Sequence, residues 1–173
     1  MTKSIKQAAT AAVASLAIAA GAQAADLPVT NLIQIETTKG NVTIELWPSV
    51  APKHVEAFKT LTQKGFYNGL VFHRIVPGFV AQTGDPTGTG MGGPGYTLKA
   101  EFSDKPHVRG TLAMARAASP DSAGSQFYIV LEDAPHLNGN YTVFGRVTAG
   151  MEVVDQLQQN VDKMVKLSFI DAK

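Results

Sequence analysis

The sequence predicts a mainly β domain, folded as a closed antiparallel barrel whose ends are covered by two helices. Three observations lead to this fold class: seven or eight short β-prone segments, two stretches in which apolar residues recur at helical spacing, and a length that suits one domain. Barrel closure removes the exposed strand edges that would otherwise invite aggregation. A sandwich with appended helices is the alternative.

The N-terminus has the pattern of an export signal. Lys3 and Lys6 precede an apolar run over residues 8–20, and Ala22-Gln23-Ala24 has the small-x-small pattern of a cleavage site. The apolar run is too short to span a bilayer, so no stable membrane association is expected after cleavage. The chain is therefore predicted to comprise a signal peptide, a short N-terminal linker and one folded domain, at residues 1–24, 25–31 and 32–173.

The composition excludes several classes of protein. The chain has 15 basic and 14 acidic residues, and loss of the two lysines of the leader leaves 13 basic residues and a formal charge of −1. Nucleic-acid binding is not expected, because phosphate recognition needs a basic face. The absence of cysteine excludes a thiolate nucleophile and Cys-ligated zinc, and the four histidines lie at least 19 residues apart, so no metal site is predicted.

A hairpin and a helix follow the linker. Apolar and polar residues alternate over 32–37 and 42–47, on either side of the turn residues Lys39-Gly40-Asn41. Pro52 is typical of a first helical turn and Gly65 of a helix end. Between them, apolar residues recur at helical spacing, namely Ala51, Val55, Phe58 and Leu61.

The remaining strands are short and are separated by loops. Residues 84–95 are rich in glycine and proline and predict a surface loop. A second helix is predicted over residues 150–158, with Val154, Leu157 and Val161 on one face. The β-prone segments are residues 71–75, 79–83, 111–116, 126–131, 141–147 and 165–170.

One segment carries most of the functional information. Residues 72–85 place the single cation Arg74 among mostly apolar side chains, with Phe79 and Gln82 close behind. This pattern indicates a site that holds an apolar group and polarises it without breaking bonds. Two other motifs are weaker. The G-x-G-x-x-G match at residues 88–93 is not followed by a helix, and Ser125 precedes a strand instead of standing at a nucleophile elbow.

The run from Tyr67 to Asp85, with Phe72-His73-Arg74 and Pro77-Gly78-Phe79 at its centre, closely resembles the signature of the cyclophilins. These proteins are peptidyl-prolyl cis-trans isomerases built on an eight-stranded barrel with two helices. The resemblance covers roughly residues 30–170, and it continues through three shorter motifs at residues 110–115, 125–129 and 143–147.

The resemblance implies a set of site residues. The catalytic group would comprise Arg74, Phe79 and Gln82. His136 stands where many members carry tryptophan, and this departure implies weak cyclosporin binding. The residues implied to bind the substrate are Val80, Ala115, Arg116, Gln126, Tyr128, Leu137 and Tyr141.

The implied function is a non-covalent, arginine-assisted acceleration of X-Pro bond rotation in exported proteins. The expected partners are proline-containing polypeptides, no cofactor is required, and the protein is expected to be a periplasmic monomer. A non-catalytic peptide-binding module, serving as a chaperone, is the alternative. It needs only the apolar walls of the groove, whereas the presence of Arg74, Phe79 and Gln82 together favours an enzyme.

Overall fold

The computed structural model describes residues 27–171, so the predicted signal peptide lies outside the described residues. The described chain contains the helices α1 (Pro52–Gln63) and α2 (Met151–Val154) and a 3-10 helix at Pro135–Leu137. Its eight strands are β1 (Leu32–Thr37), β2 (Gly40–Leu46), β3 (Arg74–Val76), β4 (Val80–Thr83), β5 (Thr111–Met114), β6 (Phe127–Val130), β7 (Val143–Ala149) and β8 (Met164–Ile170).

The strands form one antiparallel sheet in the order β3-β4-β6-β5-β7-β2-β1-β8. The predicted hairpin is confirmed, since Ile33 lies opposite Ile44 in β2. The order also inserts β6 between β4 and β5, so that segments far apart along the chain become neighbours. The fold is therefore mainly β with eight antiparallel strands and two helices, as expected.

The prediction of a closed barrel is wrong, because the sheet is a curled, open half-barrel. Among the described residues, the edge strands β3 and β8 do not pair with each other. The gap is spanned by irregular backbone: Val71 and Lys163 form an isolated bridge, and Phe72 N donates to Asp162 O at 3.0 Å. The predicted strand at 71–75 is thus reduced to Arg74–Val76, which leaves too few residues for a ladder to β8.

The alternation of side chains across the sheet creates two apolar clusters. Phe127 and Ile129 face the main core inside the curl, whereas Tyr128 and Val130 belong to a smaller cluster. All four side chains of β6 are buried, because both faces of this strand are covered. The smaller cluster matters for function, because it provides the floor of a pocket described below.

Helix α1 packs into the main core. Pro52 occupies its first turn and Gly65, at φ +69°, follows its end, as predicted. The ring of Phe58 lies 5.2 Å from that of Phe127 and 5.3 Å from that of Phe144. These aromatic contacts hold the helix against the concave side of the sheet.

The second helix is shorter than predicted. Helix α2 ends at Val154 instead of near residue 158, and Val161 is 66% exposed instead of lying on a buried face. The cause is local, since the buried Asp162 carboxylate accepts a hydrogen bond from Gln158 N at 2.7 Å. This bond stabilises a turn where the helix would otherwise continue.

The segment before β1 contacts the domain. Thr30 Oγ1 donates to Ile170 O at 2.6 Å, and Lys59 Nζ donates to Pro28 O at 3.0 Å. Within residues 27–171, no helix has the length and apolar character needed to cross a membrane.

Candidate active site

The β3–β4 hairpin positions the predicted cation. Arg74 lies directly opposite Gln82 in the antiparallel pair, so their side chains share one face of the sheet. Arg74 Nη1 donates to Gln82 Oε1 at 3.4 Å. Gly78 adopts φ +69° in the connecting turn, a conformation that favours glycine. Arg74 is exposed, and within residues 27–171 it forms no salt bridge. Its guanidinium is held by the neutral amide of Gln82.

The register extends this face across four strands. Gln82 lies opposite Tyr128 in β6, and Tyr128 lies opposite Ala113 in β5. Arg74, Gln82, Tyr128 and Ala113 therefore form one row across β3, β4, β6 and β5. Because side chains alternate along a strand, this row stands on the face opposite the main core.

A pocket of about 200 Å³ opens along this row. Nine of the ten predicted site residues line it, so chain segments up to 67 positions apart meet at one place. Gln126 lines instead the adjoining cleft of about 750 Å³, which shares Gln82, Ala115 and Arg116 with the pocket. The lining residues of the pocket are Arg74, Phe79, Val80, Gln82, Ala115, Arg116, Tyr128, Leu137 and Tyr141.

Aromatic rings form much of the wall. The rings of Tyr128 and Tyr141 meet edge to face at 5.9 Å, and the Arg116 guanidinium lies over the Tyr141 ring at 4.8 Å. Phe79 stacks on His136 at 5.5 Å. Arg116 Nε and Nη2 also donate to Asn140 O, at 3.0 and 2.9 Å, which fixes this guanidinium at the rim.

A buried histidine behind the wall was missed by the sequence reasoning. His107 Nε2 lies 3.0 Å from the hydroxyl of Tyr128, and Asn138 Oδ1 lies 2.7 Å from His107 N and 3.1 Å from His107 Nδ1. Burial lowers the pKa of His107 and raises the pKa of Tyr128. Neither contact has a signal in the sequence, because the three residues come from separate segments.

A chain of amides leads away from Arg74. Gln82 Nε2 donates to Gln126 Oε1 at 3.0 Å, and Gln126 Nε2 donates to Gly90 O and Gly92 O, each at 2.9 Å. The glycine-rich loop therefore takes part in the site through its backbone carbonyls. The sequence identified this segment only as a surface loop.

The other motifs do not form reactive sites. Ser125 is buried and its Oγ donates to Gly84 O at 2.6 Å, so the hydroxyl proton is held by a backbone carbonyl. Residues 88–93 are followed by turns and bends, not by a helix. In the described part of the chain, no group of three or more acidic, histidine or cysteine residues is placed to hold a metal ion.

Comparisons with known proteins agree with this geometry. The family model described as cyclophilin type peptidyl-prolyl cis-trans isomerase/CLD matches residues 32–169. The chain is 43% identical to a probable peptidyl-prolyl cis-trans isomerase of Brucella suis, over 93% of either chain. It is 55% identical to peptidyl-prolyl cis-trans isomerase B of Bacillus subtilis, over 64% of this chain and 78% of that protein.

Solved structures give the same result for the fold. A cyclophilin-type isomerase of Cryptosporidium parvum, crystallised in the presence of the dipeptide Ala-Pro, is similar to this structure with a TM-score of 0.77 and 32% sequence identity. The match covers 82% of this chain and 99% of that chain. With a family model that spans most of its length, the chain belongs to the cyclophilin-type peptidyl-prolyl cis-trans isomerases.

Proposed function

We propose that this isomerase lowers the barrier to X-Pro rotation by a hydrogen bond from Arg74 to the prolyl nitrogen. The barrier is about 18–20 kcal/mol because the amide C–N bond has partial double-bond character. Rotation breaks the conjugation, so the nitrogen becomes pyramidal and gains a lone pair. A guanidinium beside it stabilises the twisted amide more than either planar form, and such selective stabilisation accelerates a reaction.

The observation that carries this proposal is the position of Arg74 on the rim of a pocket with apolar walls. The guanidinium is exposed, its hydrogen-bond partner is the neutral amide of Gln82 at 3.4 Å, and it lines the same cavity as Phe79, Tyr128 and Leu137. These three side chains would hold a proline ring while the preceding carbonyl turns. Gln82 would keep the guanidinium facing the ring, and Ala115, Arg116 and Gln126 would contact the peptide backbone.

The substrates proposed for this site are proline-containing polypeptides. Phe79, Val80 and Leu137 give this small pocket an apolar wall that suits a pyrrolidine ring, and the adjoining cleft of about 750 Å³ leaves room for flanking residues. The crystallisation of the Cryptosporidium relative with Ala-Pro is consistent with this substrate class. We propose further that the protein acts as a monomer on exported proteins in the periplasm. The support for export is the pattern of Lys3, Lys6 and the apolar run in the first 24 residues.

Exchange NMR of an X-Pro peptide tests the role of Arg74. We expect Arg74→Ala to keep the fold and to reduce the catalysed exchange rate at least tenfold, equivalent to about 1.4 kcal/mol of lost transition-state stabilisation. Arg74→Lys should recover only part of the rate, because a lysine ammonium lacks the rigid planar fork of arginine.

Arg146→Ala is the matched control. Arg146 is an exposed arginine that pairs with Glu45 at 3.0 Å and lines neither cavity, so its removal should leave the exchange rate unchanged. Wild-type exchange in Arg74→Ala would show that the arginine has no part in the reaction.

A further inference from the structure

The glycine-rich loop is organised around one buried carboxylate. Asp85 is 1% exposed and has hydrogen-bond donors on both oxygens. Oδ1 accepts from Thr87 N at 2.7 Å and from Thr87 Oγ1 at 2.8 Å, and Oδ2 accepts from Gly90 N at 2.5 Å and Gly92 N at 3.1 Å. Within residues 27–171 Asp85 forms no salt bridge, and its hydrogen bonds come from backbone N–H groups and one hydroxyl.

The ionised form of Asp85 is strongly favoured. Burial would raise the pKa of this carboxyl, but the hydrogen bonds from Thr87, Gly92 and Gly90 outweigh burial and lower the pKa to about 2. The space around the carboxylate is also filled, since a Cβ on Gly92 would collide with Asp85 Oδ1 and with Thr87. The carboxylate is therefore closely packed against the backbone of the loop.

The two glycines that donate to Asp85 also accept from Gln126. Their carbonyl oxygens each lie 2.9 Å from Gln126 Nε2, so both amide protons of Gln126 are engaged by the loop. The side-chain oxygen of Gln126 must then point the other way, toward Gln82 Nε2 at 3.0 Å. Gln82 in turn presents its oxygen, and not its NH2 group, to Arg74.

The direction of every bond in this series depends on the loop carbonyls. If the carbonyls of Gly90 and Gly92 moved away, the Gln126 amide could rotate by 180° and offer its NH2 group to Gln82. The Gln82 amide would then follow and place two donor groups against the Arg74 guanidinium, which has no acceptor. The carboxylate of Asp85 removes this alternative, although it lines neither the pocket nor the cleft.

We propose that Asp85 is a positioning residue for isomerisation. Its carboxylate holds the Gly90 and Gly92 peptide groups. These groups set the orientation of the Gln126 and Gln82 amides, and the Gln82 amide in turn sets the direction in which the Arg74 guanidinium points. This inference rests on the proposed role of Arg74.

The first test replaces the carboxylate by an amide of the same shape. In Asp85→Asn one oxygen becomes an NH2 group, which opposes the donors of Thr87 or of the two glycines. We expect kcat/KM for an X-Pro peptide to fall about tenfold, within the roughly 100-fold that a slightly misplaced catalytic geometry can cost. The loss should appear in kcat more than in KM, because the apolar walls that Phe79, Val80 and Leu137 contribute to the pocket remain.

A double-mutant cycle separates positioning from general loss of structure. In a Gln126→Leu background the connection to Arg74 is already broken, so Asp85→Asn should reduce kcat/KM by less than about twofold there. The same cycle with Arg74→Ala should give the same result. An Asp85→Asn effect that stays near tenfold in both backgrounds would overturn the proposal. Wild-type activity of Arg74→Ala alone would instead overturn the proposed role of Arg74, and the positioning role with it.

Two further variants keep the test decisive. Asp133 is an exposed aspartate outside both cavities that accepts from Arg109 N at 2.9 Å, so Asp133→Asn should leave kcat/KM unchanged.

Should Asp85→Asn fail to fold, Gly92→Ala provides the second route, because its methyl group displaces the same carboxylate. Gly92→Ala should show the same loss in the wild-type background and the same insensitivity in the Gln126→Leu background. Additive losses in that cycle would count against the role of Asp85.

Discussion

The hydroxyl of Tyr128 forms a hydrogen bond with Nε2 of His107, at 3.0 Å, behind the wall of the pocket. Asn138 Oδ1 accepts from both the backbone N–H and Nδ1–H of His107, so the neutral ring has its lone pair on Nε2. Tyr128 therefore donates to His107, and its ring is fixed at the pocket floor. The position of Tyr128, which is proposed to contact the substrate, thus depends on His107, which does not line the pocket.

Acid is expected to weaken this arrangement. Burial lowers the pKa of His107, so the folded state binds its proton less readily than the unfolded state does. The stability that the neutral ring provides is complete above the pKa of an unfolded histidine, about 6.5, and is lost as the pH falls from there toward the lower folded value.

Urea unfolding of the wild type and of His107→Gln at several pH values between 8 and 5 measures this effect. The difference in unfolding free energy between the two proteins should shrink as the pH falls. His136 also lowers the pKa of His107, so His136→Gln should weaken the wild-type pH dependence only in part. A difference between wild type and His107→Gln that is constant over this range would contradict the assignment.

At the scale of single residues, the sequence predicted those side chains that belong to a continuous motif. Arg74, Phe79 and Gln82 lie within nine residues, and all three line the pocket. Asp85 also lies in that motif, but neither its role nor that of His107 could be assigned, because their effect depends on partners such as Asn138 and Gln126 that only the fold brings near. The catalytic roles remain predictions until the variants are measured.

Helix α1 depends on a cap that comes from a distant part of the chain. Ala51, at the N-cap position, has no side chain that can accept a hydrogen bond. Glu101 accepts instead from Lys53 N at 3.1 Å and from His54 N at 3.0 Å, and its Oε2 also lies 2.6 Å from His54 Nδ1. A carboxylate at a helix N-terminus also favours the helix dipole.

Removal of this cap should destabilise the fold without affecting the site. We expect Glu101→Ala to lower the free energy of unfolding by about 1–2 kcal/mol, the cost typical of a lost N-cap. Activity should be unchanged, because Glu101 lines neither cavity. Glu56→Ala is the comparison, since Glu56 forms an exposed pair with Lys53 at 3.4 Å and such pairs contribute little. Equal losses in the two variants would argue against a capping role.

At the scale of elements, helix and strand existence was predictable and exact length was not. Apolar periodicity and Pro52 identified α1, whereas the extent of α2 is set by the hydrogen bond from Gln158 N to Asp162. The 3-10 helix at Pro135–Leu137 was not predicted, because three residues are too few to show a period.

The sheet as a whole could be predicted in class but not in order or closure. Seven or eight strands and two helices follow from local patterns, but nothing in the sequence alone places β6 between β4 and β5. The expectation of a closed barrel came from the need to remove strand edges. In the structure the gap between the two edge strands is instead covered in part by irregular backbone, through the isolated bridge between Val71 and Lys163.

The proposed export predicts a definite mature protein. If the first 24 residues are removed, intact-mass measurement of the periplasmic fraction should give a chain that begins at Ala25. A variant with Lys3 and Lys6 replaced by glutamate should accumulate as precursor, because the signal then lacks its basic region. Recovery of the full-length chain from the cytoplasm of the wild type would contradict export.

The connection between Asp85 and Arg74 consists of two peptide carbonyls and two carboxamides, none of which can gain or lose a proton in ordinary water. The only ionisable group at its origin has a pKa of about 2. Mobile ions also have little to screen along it, because it contains no ion pair. The direction in which the guanidinium points is thus expected to be insensitive to concentrated salt.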